Sequence, residues 1–198
     1  MKVSNRDILN VFWKETKPYG LAWAGLFFFI TIDAITGVIA PWFYKQFFDT
    51  LASPDETRAA QLQTLLGVVA MIALVKGVGW TSRRVFDLLN INSQASIMRN
   101  LARTAFDYVI HHSEKYFANT FIGSLVRKVR RLARAYEVIA DSILFDFWPV
   151  TITVVGALYV ISTRSMGVFW VMVGWLVLFL GGNLLFARFK QPFDEARA

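Results

Sequence analysis

No cysteine occurs among the 198 residues, which excludes disulfide frameworks and thiolate metal sites. Histidine is nearly as scarce. His111 and His112 are the only two, and adjacent positions on a helix do not share a face. The expectation is a polar helix end and no metal centre. Charge is short too: charged types make up 18%, against roughly 25% in an average globular chain. Residues Thr81–Ser142 contain no Pro and one Gly, Gly123, which argues against a flexible linker. The string G-x-x-x-x-G-K-[ST] is absent, so no Walker A loop can cradle a triphosphate. No Ser/His/Asp constellation or carboxylate pair stands out, and hydrolytic catalysis by this chain is not expected.

What is present in excess is apolar residues, at 56%, and they are clustered. Tyr19–Tyr44 carries one charge, Asp33; Thr64–Trp80 carries one, Lys76; Ile143–Ile161 carries one, Asp146. Met166–Ala187 carries none. About 20 apolar helical residues cross the ~30 Å hydrocarbon core of a bilayer. Four such stretches exclude a soluble enzyme, a secreted disulfide module and a disordered tail. The fold class expected is all-α and polytopic, with four transmembrane helices at about 19–48, 62–80, 143–161 and 166–187. The first apolar run is longer than a signal h-region of 7–15 residues, so it is expected to be retained.

The pI of about 9.9 would fit a nucleic-acid binder. The placement of the charge gives a different reason for it. Residues 1–18 hold 4 Lys and Arg, Thr81–Ser142 holds 10 and Arg188–Ala198 holds 3. The links Leu51–Leu62 and Ser162–Ser165 hold only Arg58 and Arg164, and Lys45 and Lys76 lie at span ends. Basic loops stay on the cytoplasmic side. Both chain ends and the middle segment are therefore expected in the cytoplasm, and no nucleic-acid partner is expected. Trp23, Trp42, Trp80 and Trp148 sit near span ends, where amphipathic rings favour the headgroup zone.

The middle segment reads as two helices outside the bilayer. Val85, Leu88, Asn92, Ala95, Met98, Ala102, Ala105 and Val109 step by three or four and predict one buried stripe. After Gly123 the series Leu125, Val129, Leu132, Tyr136, Ile139, Ile143 has the spacing of a helix-packing seam. Arg127, Lys128, Arg130, Arg131 and Arg134 mostly fall off it. A helix over 62–112 would measure ~76 Å at 1.5 Å per residue, and one over 124–161 ~57 Å. Both exceed the hydrocarbon thickness, so both are expected to project as a helical stalk. A stalk of this kind can carry displacement between the bilayer and a partner at its tip.

This layout resembles the type-1 (type IV fold) transmembrane domain of ABC exporters. Three local strings carry the resemblance. Pro41 and Asp49 lie eight residues apart in PWFYKQFFD. Tyr116, Phe117 and Gly123 are spaced as in the family's stalk tip, within YFANTFIGSLV. The basic stretch ARFKQPFDEARA resembles the cytoplasmic extension of span four. One departure is Leu132, where the family often carries Asp. The resemblance implies a cytoplasmic N-terminal segment at 1–17 and a partial transmembrane domain at 18–198, with the stalk at 81–142. It also implies that Tyr116, Phe117, Asn119 and Gly123 couple to a nucleotide-binding domain. That domain, with its Mg-ATP, is not in this chain, and neither the LSGGQ signature nor spans five and six occur. The expectation is a piece of a longer protein. The implied partners are the lipid bilayer, a nucleotide-binding domain in the same or a separate chain, and a second transporter half. The implied location is the cell membrane.

Of single residues, Asp33 is the candidate for the translocation path, because an ionisable group within a span is costly to insert. A hydrogen-bonded structural role is the alternative. Pro41 and Pro149 each remove a backbone donor and are expected as helix kinks. Lys45 and Lys76 are expected to snorkel, and Asp146 to pair with a stalk arginine. The function expected is the transmembrane part of an ATP-driven exporter, not itself an enzyme. The alternatives are a membrane scaffold docking a cytosolic protein through the stalk, and an oligomeric channel.

Overall fold

The computed structural model describes residues 5–52, 58–110 and 122–195. Helix α1 is Asn5–Thr16, and a 3-10 turn at Lys17–Tyr19 leads into α2, Gly20–Ala52. Helix α3 is Arg58–Ile110, α4 is Ile122–Asp141, and a π-helical stretch at Ser142–Phe147 joins α4 to α5, Trp148–Arg164. Helix α6 is Met166–Glu195. No strand occurs among the described residues, and four helical stretches are long and apolar enough to cross a membrane. The all-α, four-span expectation holds.

Pro18 stands at the start of the 3-10 turn, where its missing N–H costs nothing. Pro41 lies inside α2, which continues on both sides of it. Pro149 follows the π stretch. There the Trp148 N–H reaches back to the Ile143 carbonyl, five residues away. A Pro at 149 cannot donate to residue 145 and would press its ring on that carbonyl in a regular helix. One widened turn just before it accommodates the ring. It also adds a residue to the turn, so the side chains beyond it face a different direction.

The chain divides into two units, 1–152 and 153–198. In the first, α2 and α3 lie antiparallel over most of α2. At one end, Gln61 donates to the carbonyls of Thr50 and Leu51, at 3.0 and 3.4 Å, and satisfies acceptors that the end of α2 leaves open. Farther along, buried Gly79 lies against Thr36 so closely that an added Cβ would collide with the Thr36 hydroxyl. A Cβ at Gly25 would sit 3.2 Å from Leu89.

The buried core lies where α1 and the first turns of α2 meet α3 and α4. One cluster joins Phe12, Ile97, Leu101, Tyr136 and Ala140. A second joins Leu26, Ile30, Phe86 and Leu144. The four apolar windows themselves are only 0–11% buried.

Two expectations are corrected here. The buried stripe of α3 is Ser82, Phe86, Asn90, Ser93, Ile97 and Leu101, rotated from the series through Val85, Leu88 and Asn92. Leu88 is 63% exposed. Ser93 fits the buried face because its own helix satisfies it: its hydroxyl donates to the Leu89 carbonyl at 2.7 Å. The link Ser162–Ser165 shrinks to Ser165 alone. Ser162 and Thr163 donate to the carbonyls of Tyr159 and Val160, and the helical hydrogen-bond ladder bridges Ser165 through Ile161 and Phe169. In the second unit, Trp175 stacks on Phe179 at 5.3 Å, and Asn183 donates to the Phe179 carbonyl.

The approach at Gly79 gives a direct test. Gly79→Leu should lower stability by roughly 1–3 kcal/mol, the usual cost of overpacking, read as a lower Tm in detergent. Gly77→Ala, where a Cβ meets nothing within 4 Å, should be neutral or slightly stabilising.

Candidate functional site

Two adjoining features define the site, a charge ladder and a polar-aromatic junction. The ladder begins at Asp33 on α2, whose carboxylate lies 3.8 Å from the Arg83 guanidinium on α3. Arg83 is also 3.5 Å from Asp87, and Arg84 is 3.5 Å from the same carboxylate. The four charges cancel. The Arg83 guanidinium lies over the rings of Phe86 and Phe145, at 5.4 and 5.2 Å from their centroids. Arg84 lies over Trp80 at 5.6 Å. Guanidinium groups favour aromatic faces because the ring quadrupole is negative there. One side chain, Arg83, thus ties together α2, α3 and the π stretch.

Asp33 stands near the middle of the apolar run 19–44, yet it faces Gly79 and Arg83 at the end of the second apolar run. The two runs are therefore offset along the helix axis. Sixteen residues separate Asp33 from Asp49, about 24 Å of helix. Asp33 thus lies opposite the end of the second apolar run and not opposite its middle. The expected ionisable residue is present, with a counter-ion from α3 that the sequence reading did not pair with it.

The junction lies beyond the ladder. Thr104 donates to the Glu15 carboxylate at 3.1 Å. Asn100 donates to the Tyr19 hydroxyl at 3.3 Å, and Thr16 to the Tyr136 hydroxyl at 3.4 Å. Gln94 donates to Asp141 at 3.0 Å and links α3 to α4. Phe12 meets Tyr136 edge-on at 5.5 Å. The Trp148 indole donates to Thr31 at 2.8 Å and its ring meets Phe27 at 4.8 Å. Helix α1 therefore clasps both helices of the predicted stalk, α3 and α4. Burial pushes the Tyr136 pKa up, partly offset by the neighbouring polar groups of Thr16 and Trp23. The Trp23 indole N–H is buried without a hydrogen-bond partner among the described residues.

The remaining predicted residues fall as follows. Tyr116, Phe117 and Asn119 lie outside the described residues, as do His111 and His112. Gly123 is in the first turn of α4. Lys45 pairs with Asp49 one turn on, and Lys76 lies 6.0 Å from the Tyr44 ring centroid. Asp146 is exposed and forms no ion pair with a described residue, so the expected stalk partner is not found. The reason is positional: the arginine at the base, Arg83, is taken by Asp33 and Asp87. Arg127, Lys128, Arg130, Arg131 and Arg134 are exposed, off the seam as expected. Leu132 packs against the first core cluster. Arg83, Asp87, Glu15, Thr104, Gln94 and Asp141 were not singled out from sequence. The i,i+4 pair Arg83–Asp87 was a readable signal; the contacts between helices were not.

The family model described as ABC transporter transmembrane region matches residues 23–198. The chain belongs to this family and is part of the membrane domain of an ABC transporter. No curated protein matches it.

Two outcomes test the site. Arg83→Gln should lower the Tm, and adding Asp33→Asn should recover part of the loss. The coupling should be ~0.2–1 kcal/mol, because the paired side chains are a third or more exposed. For Tyr136 the unfolded chain releases its proton near pH 10, while the buried hydroxyl holds its own to higher pH. Its contribution is therefore unchanged below pH 10 and is lost as pH rises above it. Tyr136→Phe should flatten the alkaline fall of the Tm relative to wild type between pH 9 and pH 11.

Proposed function

We propose that this chain forms part of the wall of the translocation path of an ATP-driven exporter and carries one lever that couples the path to ATP hydrolysis. One observation supports the reading above the others. Helix α3 is unbroken over 53 residues, about 80 Å, yet only ~30 Å of it fits in hydrocarbon. The rest is a rod, and α1 and α4 brace it through Phe12, Tyr136, Ile97 and Leu101. A braced rod carries displacement, where a flexible tether would absorb it. Helices α4 and α5, joined by the π stretch, supply the returning strut.

In this reading the basic extensions and both ends of the described chain lie in the cytoplasm of a cell with its exporter in the plasma membrane, following the charge bias. Asp33 lies on the path wall with its charge held by Arg83. Tyr116, Phe117, Asn119 and Gly123 form the tip, which docks on a nucleotide-binding domain carrying Mg-ATP. A second transporter half completes the path. ATP binding closes the nucleotide domains, and the tip passes that motion up both struts. The chain contributes no catalytic group to hydrolysis.

The experiment uses the intact transporter in proteoliposomes. Tyr116→Ala or Phe117→Ala should leave ATP turnover within about twofold of wild type and reduce substrate moved per ATP by roughly tenfold or more, the scale of losing ~1.4 kcal/mol of coupling. Unchanged transport per ATP in both variants would count against the lever.

A further inference from the structure

Next to the junction lies a groove of about 800 Å³. Leu9 and Trp13 line it from α1, Trp23 and Phe27 from α2, and Ile139 and Ile143 from α4 and the π stretch. These side chains are apolar or aromatic, and several are open to the surroundings: Trp13 is 70% exposed and Leu9 57%. Apolar area left in water costs about 25 cal/mol per Å², so an occupant of matching chemistry is favoured.

Two features identify that occupant. Toward the spans, Phe28 follows groove-lining Ala24 by one turn of α2 and Phe147 follows groove-lining Ile143, and both are exposed, 60% and 73%. An apolar surface thus leads from the groove toward the spans, the side from which a hydrocarbon chain would enter. Toward the basic end, Lys17 lines the groove and Lys14 lies three residues earlier, in the last turn of α1. No carboxylate lines the groove among the described residues. The groove thus pairs an apolar slot open to lipid with a cationic mouth.

We propose that this groove is a specific site for one anionic phospholipid, with an acyl chain in the slot and the phosphate at Lys17 and Lys14. The lipid covers the outer side of the Phe12–Tyr136 contact and becomes part of the clasp that α1 makes with α3 and α4. Stability of the junction then depends on headgroup charge. This inference requires a membrane-spanning chain and no particular transport direction, so it can fail while the lever holds, and the reverse.

The test uses the full-length protein in detergent. Dioleoyl phosphatidylglycerol and dioleoyl phosphatidylcholine are added separately. Bound lipid is counted by native mass spectrometry and the Tm is followed. Wild type should retain one phosphatidylglycerol per chain and prefer it by about fivefold for each lysine engaged. Lys14→Gln with Lys17→Gln should bring the two lipids to parity. Gly20→Leu should reduce retention of both. Gly20 lines the groove, and a Cβ there meets nothing within 4 Å, so leucine fills the slot without moving the backbone. Ala24→Leu, on the same wall, serves if Gly20→Leu does not fold. A folded groove-filling variant that keeps the lipid count of wild type would overturn the proposal. So would a photo-cross-linker at Leu9 that captures a protein segment, from a second copy or from another part of the transporter, in place of lipid.

Discussion

The close approach of α2 and α3 at Gly79 sets the geometry of the first unit. With no side chain at 79, the Thr36 hydroxyl sits against the α3 backbone. That contact, with the Gln61 bonds at the far end, fixes the register between the two helices. Register then determines the electrostatics. It places Asp33 beside Arg83 and not beside the apolar residues of α3. It also carries the first turns of α2 past the charged boundary, where Leu26 and Ile30 meet Phe86 and Leu144.

The solvent explains why the core lies where it does. In water, Phe12, Ile97, Leu101 and Tyr136 gain by leaving it, so α1, α3 and α4 close around them. In lipid the same residue types gain nothing from burial, and side chains such as Leu178 and Val171 remain 77% and 71% exposed.

The polar contacts of the junction add direction to that packing. Glu15, Thr16 and Tyr19 reach α3 and α4 within one helical turn of each other. A displacement of either stalk helix is thus felt by α1 and by the start of α2. Arg83, stacked on Phe145, carries the same connection to the π stretch. Polar networks with their partners in place are stiff because each lost bond leaves a desolvated group.

Much of this could be read from the chain. The number of spans follows from run length and charge placement, and the long rods follow from a segment without Pro. The off-seam position of Arg127 to Arg134 was legible from period alone. The buried stripe of α3 was not, because Ser82, Asn90 and Ser93 look like surface residues until a second helix approaches them. Asp33 was visible as an exceptional charge, but its partner lies 50 residues away in sequence. The π stretch at Ser142–Phe147 has only Pro149 as its written trace. The sequence by itself determined composition-driven properties: helices, spans and which end is basic, since these depend on local hydrophobicity and charge. Only the tertiary structure decided which charges meet, where the core closes and that an apolar groove lies beside Lys17, since these depend on helix register, and register is a property of surfaces in contact.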